Sequence, residues 1–378
     1  MNRRLACLLV LVAGVVGAAP AAARPSGPAK VRTTSTAEAR ASYAAMTPAE
    51  RVGQLFMAGI SSTNPSPATV AALRIHHVGN VILDNNSAIG VAATAVVATG
   101  LDSALTQAGA KPFLATDQEG GEVQRLTGPG FSTLPTALRQ GRLAPSSLRE
   151  RATTWGRQLA AARVTLNLAP VADTVPSPHA DANQPIGRYD REYGHTPSVV
   201  ASHVAAVVRG EVAGGVDVTL KHFPGLGRAT GNTDVTRHVT DPTSRHGSYL
   251  APFRTGIAAG APFVMVSSAT YPNIDAAHPA CFSRTVMTGM LRHGLGFTGV
   301  VISDSFHAKA VRSVAPAKAA VRYFTAGGTV LLDTDRPPIY AMEKAVLAEA
   351  KTGSPFAATI KADVLLVLRA KAVAGLLP

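Results

Sequence analysis

Val216-Asp217-Val218-Thr219-Leu220 is a short run, apolar at its first, third and fifth positions, which Lys221-His222 follow directly, and it comes after a helix-length stretch from Ser198 to Ala213. Such a run is too short for an α-helix and suits a strand covered on both faces. The same unit recurs along the chain. Further strands are expected at Leu55 to Gly59, Val78 to Leu83, Phe113 to Thr116, Val164 to Leu168, Phe263 to Val266, Gly299 to Ser303 and Thr329 to Leu332. Helices are expected between them at Ser146 to Arg163, Tyr249 to Ala259, Thr285 to Arg292, Ala308 to Ala326 and Tyr340 to Lys351. Strands alternating with helices imply right-handed crossovers and a parallel sheet. Eight units favour an α/β protein built as a single (β/α)8 TIM-type barrel. The alternative, a doubly wound open sheet, lacks the G-x-G-x-x-G turn after its first strand.

The N-terminus sets the compartment. Arg3 and Arg4 precede an apolar run from Leu5 to Val16 that small residues close, the order of a secretory signal peptide over residues 1–23. The run is shorter than the roughly 20 residues a membrane-spanning helix needs. Two Ala-x-Ala frames, ending at Ala21 and Ala23, leave the cleavage site open. Residues 24–44 read as a flexible linker, and residues 45–378 as the barrel domain, whose ordered structure is expected to start at the capping pattern Thr47-Pro48-Ala49-Glu50. Cys7 lies within the signal, which leaves Cys281 alone and excludes an intramolecular disulfide or a cysteine metal site. The formal charge of +13 becomes +11 without Arg3 and Arg4. That charge suits an anionic cell envelope, but a bias towards arginine explains it equally well. Nucleic acid is excluded as a partner, because the basic residues are scattered and not interleaved with aromatics. A monomer is expected, with no cofactor. No metal site is legible, and activity is expected to be indifferent to chelators.

Polar residues stand at the ends of several strands: Asp117 after the third, Asn167 near the end of the fourth, Lys221 and His222 after the fifth, Asp304 after the seventh. In a parallel barrel these positions face one pocket, because such sites are built from strand C-termini and the loops that follow. Two long loops, Asp173 to Pro197 and His222 to Ser248, begin beside these residues, and loops of that length in a compact domain are usually functional.

Asp117-Gln118-Glu119-Gly120-Gly121-Glu122-Val123-Gln124-Arg125-Leu126, Asn167-Leu168-Ala169-Pro170-Val171-Ala172-Asp173, Lys221-His222-Phe223-Pro224-Gly225-Leu226-Gly227 and Val301-Ile302-Ser303-Asp304 resemble, in order and spacing, signatures of glycoside hydrolase family 3. Weaker likenesses at Val52 to Phe56, Phe131 to Pro135 and Ile186 to Gly194 extend the match from about Met46 to the C-terminus. The Lys-His-Phe-Pro-Gly segment is similar to the β-N-acetylglucosaminidase branch, whose members are often single barrels. The resemblance implies a retaining exo-β-N-acetylglucosaminidase acting on terminal GlcNAc of peptidoglycan fragments. It implies Asp304 as nucleophile, with Asp117, Lys221, His222, Arg125 and Arg191 holding the sugar before the scissile bond. Another β-glycosidase activity, such as β-glucosidase, is the alternative within the family.

One segment departs from the family. Where the branch carries an Asp-Ser-His triplet, whose His is the acid and base, this chain has Asn232-Thr233-Asp234, and Leu226 replaces a second loop His. Asp234 is still titratable, so two-carboxylate chemistry is open if its environment raises its pKa. His238 is the second candidate for the acid/base. A sugar-binding pseudoenzyme that keeps Asp117, Lys221 and His222 is the reading from outside the enzyme class.

Overall fold

The computed structural model describes residues 28–378 apart from 352. The export signal read over residues 1–23, like the start of the linker, lies outside the described residues.

The eight barrel strands are β1 (Phe56–Ser61), β2 (Asn80–Asp84), β3 (Phe113–Thr116), β4 (Leu166–Asn167), β5 (Asp217–Phe223), β6 (Phe263–Val266), β7 (Val300–Ser303) and β8 (Leu331–Asp333). Every neighbouring pair is parallel, in the order β7-β6-β5-β4-β3-β2-β1-β8. The ring closes between β7 and β8. There the Ser303 amide donates to the Val330 carbonyl at 2.9 Å, the Thr329 amide to the Val301 carbonyl at 2.9 Å, and a parallel bridge joins Ile302 to Val330. The strands are buried almost throughout, as expected of continuous apolar runs packed inside and out. This is the closed (β/α)8 barrel that the alternation implied.

Three expectations need correction. The linker over residues 24–44 is in large part a helix, Pro28–Ala45, packed on the C-terminal helix Pro355–Val373 with Ala39 and Ser42 buried between them. Its run of Ala, Glu and Arg from Ala37 to Ala45 is rich in strong helix formers, and burial on a neighbour supplies what propensity alone does not. The helix expected from Ala308 starts only at Pro316. Proline is favoured in a first turn and disfavours helical geometry in the residue before it, so Ala315 is extended and the helix starts at Pro316, after turns in the residues before it. The segment Thr285–Gly294 is a π-helix, closed by the Leu295 amide on the Met290 carbonyl.

The N-terminal end of the barrel is plugged. Phe113 and Phe263 meet edge to face at 5.2 Å, and Asn80 bonds to the carbonyls of Gln54 and Phe56 and accepts from the Phe113 amide. Below them the fully buried Lys371 donates to Gln54 Oε1 at 2.6 Å and to the Gly79 carbonyl at 2.9 Å, which pins the C-terminal helix to the barrel floor. Burial brings its amine from 10.5 down to about 7, against a weak opposing pull from Asp102. The unfolded chain therefore holds more protons than the folded one between these values, and stability should rise with pH across that window by up to about 1.4 kcal/mol per pH unit. Lys371→Met should flatten this rise. Urea unfolding at neutral pH and near pH 10 measures it, and equal slopes for variant and wild type would contradict the assignment.

Candidate active site

At the C-terminal end of the barrel a cavity of about 420 Å³ opens among the strand ends and the two long loops. Asp304, Asp234, Asp117, Arg125, Lys221, His222 and Arg191 all line it. Residues distant in sequence meet there because parallel strands present the same end to one mouth.

Beneath the mouth lies a buried charge network. Lys221 Nζ sits 2.6 Å from Asp117 Oδ1 and 2.6 Å from Glu119 Oε1, while Arg191 grips both oxygens of Glu119 at 2.8 Å through Nε and a terminal nitrogen. Burial would raise the Glu119 carboxyl, but Arg191 and Lys221 outweigh it and hold the group well below the usual carboxylate range. Burial would likewise lower the Lys221 amine, yet Asp117 and Glu119 keep it above its ordinary value. Glu119 and Lys221 thus each keep a charge that their burial alone would disfavour. Asp117 remains half-exposed and offers its free oxygen to the cavity.

His222 is oriented from behind. Its Nδ1 lies 2.8 Å from Asp173 Oδ2, while Asp173 Oδ1 accepts the amides of His222 at 3.2 Å and Leu226 at 2.8 Å. With the hydrogen on Nδ1, Nε2 is left for a ligand hydroxyl. Lys221 and His222 are adjacent in a strand, yet both reach the cavity. The pairing of β5 with β6 slips its register between Leu220 and Phe223, and such an irregularity re-aims side chains. Close packing of the two long loops needs Gly227, where any Cβ would overlap the Thr174 carbonyl.

Asp304 follows β7, its amide donating to the Val266 carbonyl at 3.0 Å and its Oδ1 accepting from the Ser305 amide at 2.9 Å. The loop carrying Asp234 docks against the segment that follows. Lys309 donates its amide to the Asp234 carbonyl at 3.1 Å, and Ala310 donates to the Thr233 carbonyl at 3.0 Å. Asn232, where the resemblance implies an orienting Asp, accepts the Asp234 amide on its side-chain oxygen at 2.9 Å and shapes the turn. Burial raises the Asp234 carboxyl, the charge of Asp304 raises it further, and His222 and Arg191 pull the other way. The side chain is exposed at the cavity mouth.

Other placements differ from the sequence reading. Asn167 is not on the cavity wall. Its side chain points outward to the buried Glu211 at 2.9 Å, and Leu168, one residue on, takes the inward place, since strand residues alternate between faces. His238 is exposed and absent from the wall, so of the two acid/base candidates only Asp234 reaches the cavity. Sequence reasoning gave no role to Glu119 or Asp173, though both lie in the quoted motifs. It also passed over Asp84, Glu122, Tyr189 and His307, which line the cavity. Asp84 ends β2, so the rule that found Asp117 and Asp304 would have found it. Among the described residues no group of His, Cys, Asp and Glu is arranged to hold a metal, and no helix is long and apolar enough to cross a membrane.

Glu119→Gln keeps the shape of the side chain but removes the charge that Lys221 and Arg191 share. Leaving buried cations short of a partner is expected to lower the unfolding free energy by about 3–5 kcal/mol, read by denaturant titration. Wild-type stability in this variant would show that the network does not support the site.

Residues 47–370 match the model of the glycosyl hydrolase family 3 N-terminal domain. The crystal structure of a β-N-acetylhexosaminidase from Beutenbergia cavernae is 46% identical, aligns with 86% of this chain and 98% of its own, and superposes with a TM-score of 0.84. A family 3 β-N-acetylglucosaminidase from a Paenibacillus species is 29% identical over 87% of this chain and 63% of its own, with a TM-score of 0.77. A β-hexosaminidase of Xylella fastidiosa is 36% identical over 270 residues, 69% of this chain and 77% of its own. With the cavity, the charge network and the strand-end carboxylates in the places described, the chain belongs to glycosyl hydrolase family 3.

Proposed function

We propose that the protein is a retaining exo-β-N-acetylglucosaminidase that releases terminal GlcNAc from peptidoglycan fragments, as a monomer outside the membrane. The observation that carries this reading is the shared cavity of Asp304 and Asp234 above the Asp117, Lys221 and His222 clamp. Retaining hydrolysis needs a carboxylate at the anomeric carbon and a proton donor at the leaving oxygen. In the first step Asp304 bonds to the anomeric carbon while Asp234 gives its proton to the departing oxygen. In the second, Asp234 takes a proton from water as that water displaces Asp304.

The electrostatics suit both steps. While Asp304 is ionised, its charge helps keep Asp234 protonated, ready to act as acid. Once Asp304 is esterified that charge is gone, the pKa of Asp234 falls, and the same group serves as base. The shared cavity also argues against a sugar-binding pseudoenzyme, which would need no carboxyl opposite the nucleophile. Relatives named β-hexosaminidase and β-N-acetylglucosaminidase support the choice of GlcNAc over glucose. Export and action at an anionic envelope rest on the N-terminal signal pattern and the basic composition. Release of p-nitrophenol from its β-GlcNAc glycoside tests the activity. Turnover of neither this glycoside nor the GlcNAc-MurNAc disaccharide would overturn it, and a faster rate on the glucoside would shift the substrate.

Asp304→Asn is expected to abolish turnover while thermal unfolding stays near that of the wild type, because the amide keeps the shape but is a far poorer nucleophile. Residual activity close to wild type would remove the assignment. Asp234→Ala should slow a disaccharide on the order of 10²- to 10⁴-fold, the span of general acid catalysis, but slow glycosylation by a dinitrophenyl glycoside much less, since that leaving group needs no proton. Azide should partly restore the aryl reaction. Equal losses on both substrates would give Asp234 a structural role instead.

A further inference from the structure

The loop that carries Asp234 is closed at its neck. The Thr230 amide donates to the Thr240 carbonyl at 2.9 Å and the Thr240 amide to the Thr230 hydroxyl oxygen at 3.0 Å, so residues 231–239 form a tip with Asp234 on it. Just beyond the neck lies Asp241, which is buried and absent from the cavity wall. Its Oδ2 accepts the Arg228 amide at 2.9 Å from the outgoing arm of the loop. Its Oδ1 accepts the Thr243 amide at 2.8 Å and the Thr243 hydroxyl at 2.6 Å from the returning arm. The two arms therefore meet on one side chain.

The surroundings fix that side chain in turn. The Asp241 amide donates to the Thr270 carbonyl at 3.1 Å and the Thr270 amide to the Val239 carbonyl at 2.9 Å, which ties the returning arm to the segment after β6. The Arg228 guanidinium donates to the Thr243 hydroxyl oxygen at 3.0 Å and lies over the Tyr249 ring, 3.7 Å from its centre. Burial pushes the Asp241 carboxyl up, and the hydrogen bonds from Thr243 and Arg228 oppose it. A buried carboxylate is costly. What it supplies here is geometric, because only a group that accepts on both oxygens can take hydrogens from both arms at once. The tip then has two attachments, this neck and the amides of Lys309 and Ala310.

We propose that Asp241 is a positioning residue for the acid/base: by clamping both arms of the loop it sets the place of Asp234 opposite Asp304. It touches no reacting atom and acts through Asp234. This rests on the glycosidase reading with Asp234 as the acid. A general acid works only within hydrogen-bond reach of the leaving oxygen, and a misplacement of about 1 Å costs on the order of 10²-fold in rate. Asp241→Asn keeps the shape but turns one acceptor into a donor that faces an amide hydrogen. Thr243→Val takes one hydroxyl from the clamp, and Thr243→Ser keeps it.

For chitobiose, whose leaving sugar needs a proton, kcat is expected to fall on the order of 10²-fold in Asp241→Asn and about tenfold in Thr243→Val, with KM changed less than about threefold. Thr243→Ser should stay near wild type. For a dinitrophenyl GlcNAc glycoside kcat/KM, which reports glycosylation, should change less than about threefold in every variant. In an Asp234→Ala background Asp241→Asn should cost chitobiose hydrolysis nothing further. Hydrogen exchange in residues 231–239 should quicken about tenfold or more in Asp241→Asn while the barrel strands keep wild-type protection. Equal losses on the two substrates, a further loss in the double variant, or unchanged exchange in the loop would overturn the role. A wild type that hydrolyses neither substrate would instead overturn the glycosidase reading. Loop exchange alone then decides the clamp: faster exchange in Asp241→Asn sustains it, and unchanged exchange overturns it.

Discussion

The contact between Lys221 and its two carboxylates, Asp117 and Glu119, is the constraint on which the site depends. It joins the end of β3 to the end of β5 across the barrel mouth, and Arg191 on the long loop after β4 closes it from behind. Burial alone would disfavour the charged form of Glu119 and of Lys221. Together they form a polar floor which, on the proposed function, holds the sugar hydroxyls. The hydrophobic barrel supplies positions, and the charge network supplies direction.

On the proposed mechanism the chemistry rests on a second layer. Asp304 is fixed by strand geometry, but Asp234 rides on a loop whose place is set by backbone bonds from Lys309 and Ala310 and by the Asn232 turn. On the proposed mechanism this accounts for the departure from the triplet that the resemblance implies. A histidine acid needs an Asp to orient its ring, whereas a carboxyl acid needs surroundings that raise its pKa, and burial beside Asp304 provides them. Asn232, which cannot pair electrostatically with a histidine, instead shapes the turn that presents Asp234. The substitutions at 232 and 234 are therefore coherent as a pair.

The barrel was legible because strands covered on both faces leave unbroken apolar runs. Phe113–Thr116 and Phe263–Val266 coincide with the expected strands, and the other six overlap theirs. Residues that bear charge at strand ends were legible for the same reason. What escaped the sequence depends on face and on partners. Asn167 was a residue out of phase with the inward position, and nothing in sequence tells it from Leu168 when β4 is so short. Glu119 reads as one more polar residue in a loop until folding places it between two cations distant in the chain. The helix Pro28–Ala45 was hidden because its partner is the far end of the chain, and the late start at Pro316 followed local proline stereochemistry that a long amphipathic pattern masked.

In the proposed mechanism Asp304 bonds to the sugar while Asp234 manages the proton. A 5-fluoro GlcNAc fluoride slows the second step more than the first and lets the glycosyl-enzyme accumulate, so mass spectrometry of the digested protein addresses the claim most directly. One added sugar mass per chain is expected, carried by the peptide that contains Asp304. Label on another carboxylate, or a product of inverted configuration with no label at all, would contradict it.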